Sequence, residues 1–185
     1  MNGALLILAL AAEAYSAFRV DRTVRASWAW LGLVPLGTLG YLAINQLVAG
    51  DPFRFVTVLR VFWEKSLDWP WAGVMRLWVG ATEPSSAQLI FIGELVFIGV
   101  CVATSVAAAL LLRPSYATWT VANTLLFMST STPLSVPRYT LLLFPLFLML
   151  GRLAGRRPWP LFVLVPSIGL LCFLVGRFVL GQWAF

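Results

Sequence analysis

Three observations predict an all-α, multi-pass transmembrane helical bundle of about six spans with an external amphipathic loop helix. The first is composition. Of 185 residues, 61% are hydrophobic and 11% charged, whereas a soluble domain carries roughly 25% charged residues; mean hydropathy is +0.90. The second is that the apolar residues fall in runs approaching the about 20 residues needed to cross hydrocarbon. The third is a long segment, 49–86, whose polar and apolar residues alternate with helical rather than random spacing.

The chain reads as one transmembrane domain, 1–185, with spans near 4–18, 28–48, 87–112, 116–127, 139–153 and 160–180. The opening "MNGALLILALAAEAYS" lacks a basic leader region, so it reads as the first span and not as a cleaved signal. The second span carries Pro35, Gly37 and Tyr41; the third is the longest. The first, fourth and fifth are short for a full crossing. The fourth and fifth flank "MSTSTPLSVPRYT", where Ser129, Thr130, Ser131, Thr132, Ser135 and Thr140 surround Arg138. Irregular backbone is therefore expected there, which membranes tolerate only where protein buries it or it lines a cavity. "GRLAG", 151–155, has GxxxG spacing and weakly suggests close helix packing.

In the external loop 49–86, "GDPFRFVTVLRVFWEK" supplies Asp51 as a candidate N-cap and Pro52 at the first helical position. Phe55, Val58, Leu59 and Phe62 recur at i, i+3, i+4 and i+7, with Arg54, Thr57, Arg60 and Glu64 on a second stripe. This is an amphipathic helix suited to lie on a leaflet, and Trp63, Trp69, Trp71 and Trp78 suit the headgroup boundary. "DWPW" ends it, and "AGVMRLWVG" reads as another short surface helix.

Net charge is +6, but the cations sit in short loops between apolar runs, so they set topology and do not mark a nucleic-acid surface. The loops with Arg19, Arg22, Arg25, Arg113, Arg152, Arg156 and Arg157 carry one acid, Asp21. Arg54, Arg60, Lys65, Arg76 and Arg138 are spread over longer segments. The positive-inside rule puts the first set in the cytoplasm and both termini outside. Trp28, Trp30 and Trp159 then mark inner helix ends and Trp183 an outer one. An external N-terminus without a leader suggests an upstream portion or a partner chain. Lysine occurs once, at Lys65, and the other twelve of 13 cations are arginine, which points to a GC-rich genome and a bacterial plasma membrane.

The absence of histidine removes His–metal sites, Ser-His-Asp triads and imidazole acid–base chemistry. No metal site and no cofactor are expected. Cys101 and Cys172 lie in apolar runs and could pair only if their helices face each other at one depth. Glu94 lies inside the third span, where a carboxylate needs a partner, water or a proton. It is either functional or a hydrogen-bonding tie between helices. Glu13, near the end of its segment, reads as solvated, and Arg177 as snorkelling. Glu64 can pair with Arg60 four residues before it, and Asp68 and Glu83 read as solvated. None of these acids is isolated enough to be a catalytic base.

Two elements in order carry a family resemblance: Gly50, Asp51, Pro52, Phe55 and Trp63, then Ser135, Arg138, Tyr139, Phe144 and Pro145. The chain resembles the C-terminal half of the PIG-V-like mannosyltransferases, integral membrane glycosyltransferases of the GT-C class. The resemblance covers most of the chain. It implies a polyprenyl-phosphate sugar donor, membrane-lipid neighbours and an inverting mannosyl transfer on the external face. The family's catalytic aspartate lies in a first external loop that has no counterpart here, since Asp21 falls on the cytoplasmic side. The catalytic residue is therefore unassigned, and an upstream catalytic half or partner chain is expected.

The resemblance assigns Arg138, Tyr139, Ser135 and Arg60 to the lipid-phosphate donor, and Asp51, Pro52, Phe55 and Trp63 to an acceptor groove. Guanidinium suits this role because it offers planar, two-pronged hydrogen bonds to phosphate oxygens. The alternative for Arg138 is a snorkelling side chain at the outer end of the fifth span. At the level of function, the alternative is a non-enzymatic multi-pass subunit that binds or transports a polyprenyl-phosphate lipid.

Overall fold

The computed structural model describes residues 2–155 and 158–182; Arg156, Arg157 and Trp183 lie outside them. Among the described residues nine α-helices follow in order: α1 (Leu6–Asp21), α2 (Val34–Ala49), α3 (Arg54–Phe62), α4 (Pro70–Thr82), α5 (Gln88–Leu111), α6 (Pro114–Met128), α7 (Val136–Thr140), α8 (Phe144–Ala154) and α9 (Trp159–Val179). Short 3₁₀ turns lead into α1 and α2. No β-strand longer than an isolated bridge occurs among the described residues.

Among the described residues four helical segments are long and apolar enough to cross a membrane: Gly3–Asp21, Ala26–Ala49, Gln88–Leu111 and Trp159–Val179. They coincide with the first, second, third and sixth expected spans. The fourth corresponds to the 15-residue α6. The expected fifth span, 139–153, is not one helix. It divides into α7 and α8, and the break at 141–143 has a local cause. Pro145 has no N–H to donate, and its ring crowds the carbonyl four residues back. The Trp119 indole N–H donates to the Leu142 carbonyl at 2.8 Å, so one acceptor freed by the break is satisfied by protein.

The amphipathic helix also begins later than its sequence suggests. The Asp51 carboxylate accepts the Phe53 N–H at 2.8 Å, closing a turn around Pro52, and α3 starts only at Arg54. Asp51 is thus a turn residue and not the helix N-cap. Glu64 takes a left-handed φ of 50° beyond the end of α3, so the Arg60–Glu64 helical pair does not form. The second surface helix is longer than expected and is not merely superficial. In α4, Gly73 and Leu77 are buried against the bundle.

The core sits where α4, α5, α6 and α7 meet. Leu77, Ile98, Cys101, Phe127, Val136 and Leu143 form it. Beside it, polar side chains tie α5 to α6. The hydroxyls of Ser105 and Thr124 lie 2.9 Å apart, and Ser105 also donates to the Cys101 carbonyl. Such bonds suit helices that lack a hydrophobic driving force between them in lipid. Cys101 and Cys172 are both free, so they do not pair. A Cβ at Gly151 would meet nothing within 4 Å and one at Gly155 only its own turn, so the GxxxG spacing brings no neighbouring helix close.

Glu13 is not simply solvated. Its carboxylate accepts the Ser115 hydroxyl at 2.6 Å and approaches Arg113 at 3.7 Å, joining α1 to the start of α6. A carboxylate is favourable there because the helix N-terminus is electropositive.

Glycine contacts yield a test of the packing. A Cβ on Gly73 would fall 2.3 Å from the Thr130 carbonyl oxygen, whereas one on Gly99 in α5 meets nothing within 4 Å. Gly73→Ala is expected to destabilise the protein by roughly 1–3 kcal/mol. Gly99→Ala is expected to be neutral or mildly stabilising, by up to about 1 kcal/mol. Thermal midpoints of the two variants in detergent check the contrast.

Candidate functional site: a carboxylate-held turn beside an apolar cavity

The loop before α7 is held by a buried charge. Glu94 on α5 is 2% exposed. Its Oε1 accepts the Ser135 N–H and its Oε2 the Val136 N–H, each at 2.7 Å. These are the first amides of a helix that has no preceding turn to receive them. The carboxylate thus takes the place of a cap, and it reaches there from another helix. Ser135 sits at φ 68°, a left-handed conformation that costs a non-glycine residue about 1–2 kcal/mol. The Glu94 bonds offset that cost. Glu94 is therefore a hydrogen-bonding tie, and Ser135 contributes its backbone.

A second set of contacts pins the same loop to the segment between α3 and α4. Leu67 and Thr130 form an antiparallel bridge. The Asp68 N–H donates to the Ser129 carbonyl at 3.0 Å, and the Ser131 N–H to the Ser66 carbonyl at 2.8 Å. The Ser131 hydroxyl donates to the Glu64 carbonyl and accepts the Ser66 N–H. Arg76 on α4 closes the join by donating to both the Ser131 carbonyl and the Asp68 carboxylate. Asp68, which the sequence suggested was solvated, is thus an ion-pair partner.

Held in this way, α7 presents Val136 and Thr140 inward and Arg138 outward. Tyr139 stacks on Phe127, with ring centroids 5.3 Å apart and planes at 24°. Two cations face the same tyrosine ring, Lys65 with Nζ at 5.8 Å and Arg138 with its guanidinium carbon at 5.6 Å. Lys65 also donates to the Leu134 carbonyl at 3.1 Å. Beneath lies a cavity of about 240 Å³ lined by Phe55, Leu59, Phe127, Pro133 and Tyr139, with Lys65 on its wall. This arrangement can take an apolar chain below and an anion at the rim.

Of the residues singled out from the sequence, Phe55, Tyr139 and, through the Tyr139 ring, Arg138 come together at this cavity. Arg60 and Trp63 are exposed on and beyond α3 and line no described cavity. Asp51 and Pro52 shape the turn before α3. Arg177 lies over the Phe173 ring, and it lines a cleft of about 100 Å³ together with Glu94 and Pro137. Lys65 is the residue that sequence reasoning missed. Its sequence context signals only loop charge, although its being the single lysine sets it apart.

No protein-family model, no curated protein and no solved structure matches the chain.

The join makes acid sensitivity predictable. The Arg76 hydrogen bond, aided by the Trp69 N–H, holds the Asp68 carboxyl below its ordinary 3.8. A depressed carboxyl stabilises the fold fully above its ordinary value, and that contribution is lost as pH falls through the lower folded value. Asp68→Asn is expected to remove it, making thermal midpoints of mutant and parent converge in strong acid and differ near neutrality. For the Glu94 tie, Glu94→Gln retains one acceptor for two amides, so roughly 1–3 kcal/mol should be lost. Glu94→Ala should lose more. Protease cleavage within 129–140, in detergent, is expected to rise in the same order.

Proposed function

We propose that the chain is a membrane module that binds a polyprenyl-phosphate sugar at the external face and serves as the C-terminal part of a polyprenyl-phosphate-mannose-dependent mannosyltransferase. The segments then form a six-span bundle in a bacterial plasma membrane, with both termini external. In that bundle α6 and the α7–α8 pair complete the four longer helices.

One observation carries this reading: Lys65 and Arg138 flank the Tyr139 ring at the rim of an apolar cavity. An isoprenyl chain needs an apolar cavity, and its phosphate needs cations at the boundary. Arg138 is exposed and forms no ion pair among the described residues, so its guanidinium is available for two-pronged contact. Charge placed on the departing phosphate by Arg138 and Lys65 would favour sugar transfer electrostatically.

A second reading is a lipid-binding subunit without chemistry, and it too has a supporting observation. No carboxylate lines this cavity among the described residues. Glu94 is committed to two amides and Asp68 to Arg76. Transfer by this chain would therefore draw its base from an upstream half or a partner chain.

Arg138→Ala is expected to weaken binding of polyprenyl-phosphate-mannose by about ten-fold or more, the range for a charge-assisted hydrogen bond. Membrane insertion and thermal midpoint should be unchanged. Unaltered binding would remove the assignment. Ser66→Cys should be labelled by an impermeant thiol reagent from the external side of intact cells; labelling only from the cytoplasmic side would overturn the topology.

A further inference from the structure

Phe55 and Leu59 of α3 also border a larger groove, of about 770 Å³, between α2, α3 and the 3₁₀ turn that precedes α1. We propose that it binds one anionic diacyl phospholipid, with an acyl chain along α2 and the phosphate at Arg54. The groove follows α2 one turn at a time, through Gly37, Tyr41 and Asn45. Eight residues of helix rise about 12 Å, which suits an extended acyl segment. The opposite wall is the apolar stripe of α3, Phe55, Val58 and Leu59, and Tyr41 meets Phe55 with ring centroids 5.6 Å apart.

Charge is confined to one end. The Asn45 side chain donates to the Pro52 carbonyl at 3.5 Å, closing that end against the turn before α3. Arg54 stands beside it, exposed and with no ion pair among the described residues. The nearest acid in sequence, Asp51, is turned to the Phe53 N–H. A cation without a counter-charge at the polar end of an apolar groove matches an anionic headgroup on an alkyl chain. A zwitterionic lipid offers the same phosphate but also brings a cation into the neighbourhood of Arg54, so it fits less well. At the far end, Gly37 leaves the groove open, since a Cβ there would meet nothing within 4 Å. The groove shares Phe55 and Leu59 with the Tyr139 cavity, but its Arg54 end takes no part in that cavity, and the proposal does not rest on the mannosyltransferase reading.

The test compares retention of phosphatidylglycerol and phosphatidylcholine of identical chains by the purified full-length protein, measured by native mass spectrometry after detergent exchange. Phosphatidylglycerol should be retained about five-fold better, the factor of one arginine at a membrane surface. Arg54→Gln should abolish that preference, and Gly37→Leu, which fills the groove from an open position, should reduce retention of both lipids. Arg19→Gln, at an exposed cation in the last turn of α1, should leave both unchanged. Equal retention of the two lipids by the parent protein would overturn the proposal, as would a preference that survives Arg54→Gln. Arg54 is exposed, so that variant decides the matter even if Gly37→Leu fails to fold. Displacement of retained phosphatidylglycerol by inorganic phosphate at equal concentration would equally overturn it.

Discussion

The pair of hydrogen bonds from Ser135 and Val136 to the Glu94 carboxylate governs the shape of the rest. An ionisable group inside a span is costly, and it persists where it is paired or hydrogen-bonded. Here the carboxylate is matched to two amides that a helix start leaves without partners. The match works in both directions. Glu94 obtains donors, and the loop before α7 obtains the acceptors that let a left-handed serine and a five-residue helix exist beside the longest span. Orientation of Arg138 and Tyr139 follows, since α7 is too short to be positioned by its own turns.

The second constraint acts from outside the bundle. The bridge between Leu67 and Thr130 and the Arg76 contact with Ser131 bring segments 55 to 65 residues apart in sequence into register. That register delivers Lys65 to Tyr139. It also explains why α4 packs into the bundle with a glycine at its closest approach: only a residue without a Cβ lets the Thr130 carbonyl lie so near. The cavity thus takes its lining from α3, α6 and α7, with aromatic and proline side chains, and Lys65 joins it from the segment after α3, while Arg138 of α7 meets it through the Tyr139 ring.

Much of this was legible in the sequence because hydrophobic runs and helical periodicity are local signals. The spans near 4–18, 28–48, 87–112 and 160–180 agree with helices of membrane-crossing length. The stripe in α3 could be read, and so could the need of Glu94 for a partner. What was not legible is non-local. Nothing in a hydropathy pattern says that Glu94 would reach the backbone at 135–136, that Asp68 would find Arg76, or that Glu13 would receive the Ser115 hydroxyl. The break at 141–143 could have been anticipated from Pro145, but an apolar run on both sides of a proline reads as one segment until the backbone is seen.

The proposed lipid-phosphate site at Tyr139, presented by the turn that Glu94 holds, can be labelled by photo-crosslinking the protein in liposomes with a polyprenyl phosphate bearing a diazirine in its chain, then mapping the labelled peptides. Label is expected in 55–59 and 126–139, displaced by unlabelled polyprenyl phosphate and diminished in Glu94→Ala. Label spread along α2 and α9, undiminished by competitor and equal in the Glu94→Ala variant, would contradict the proposal.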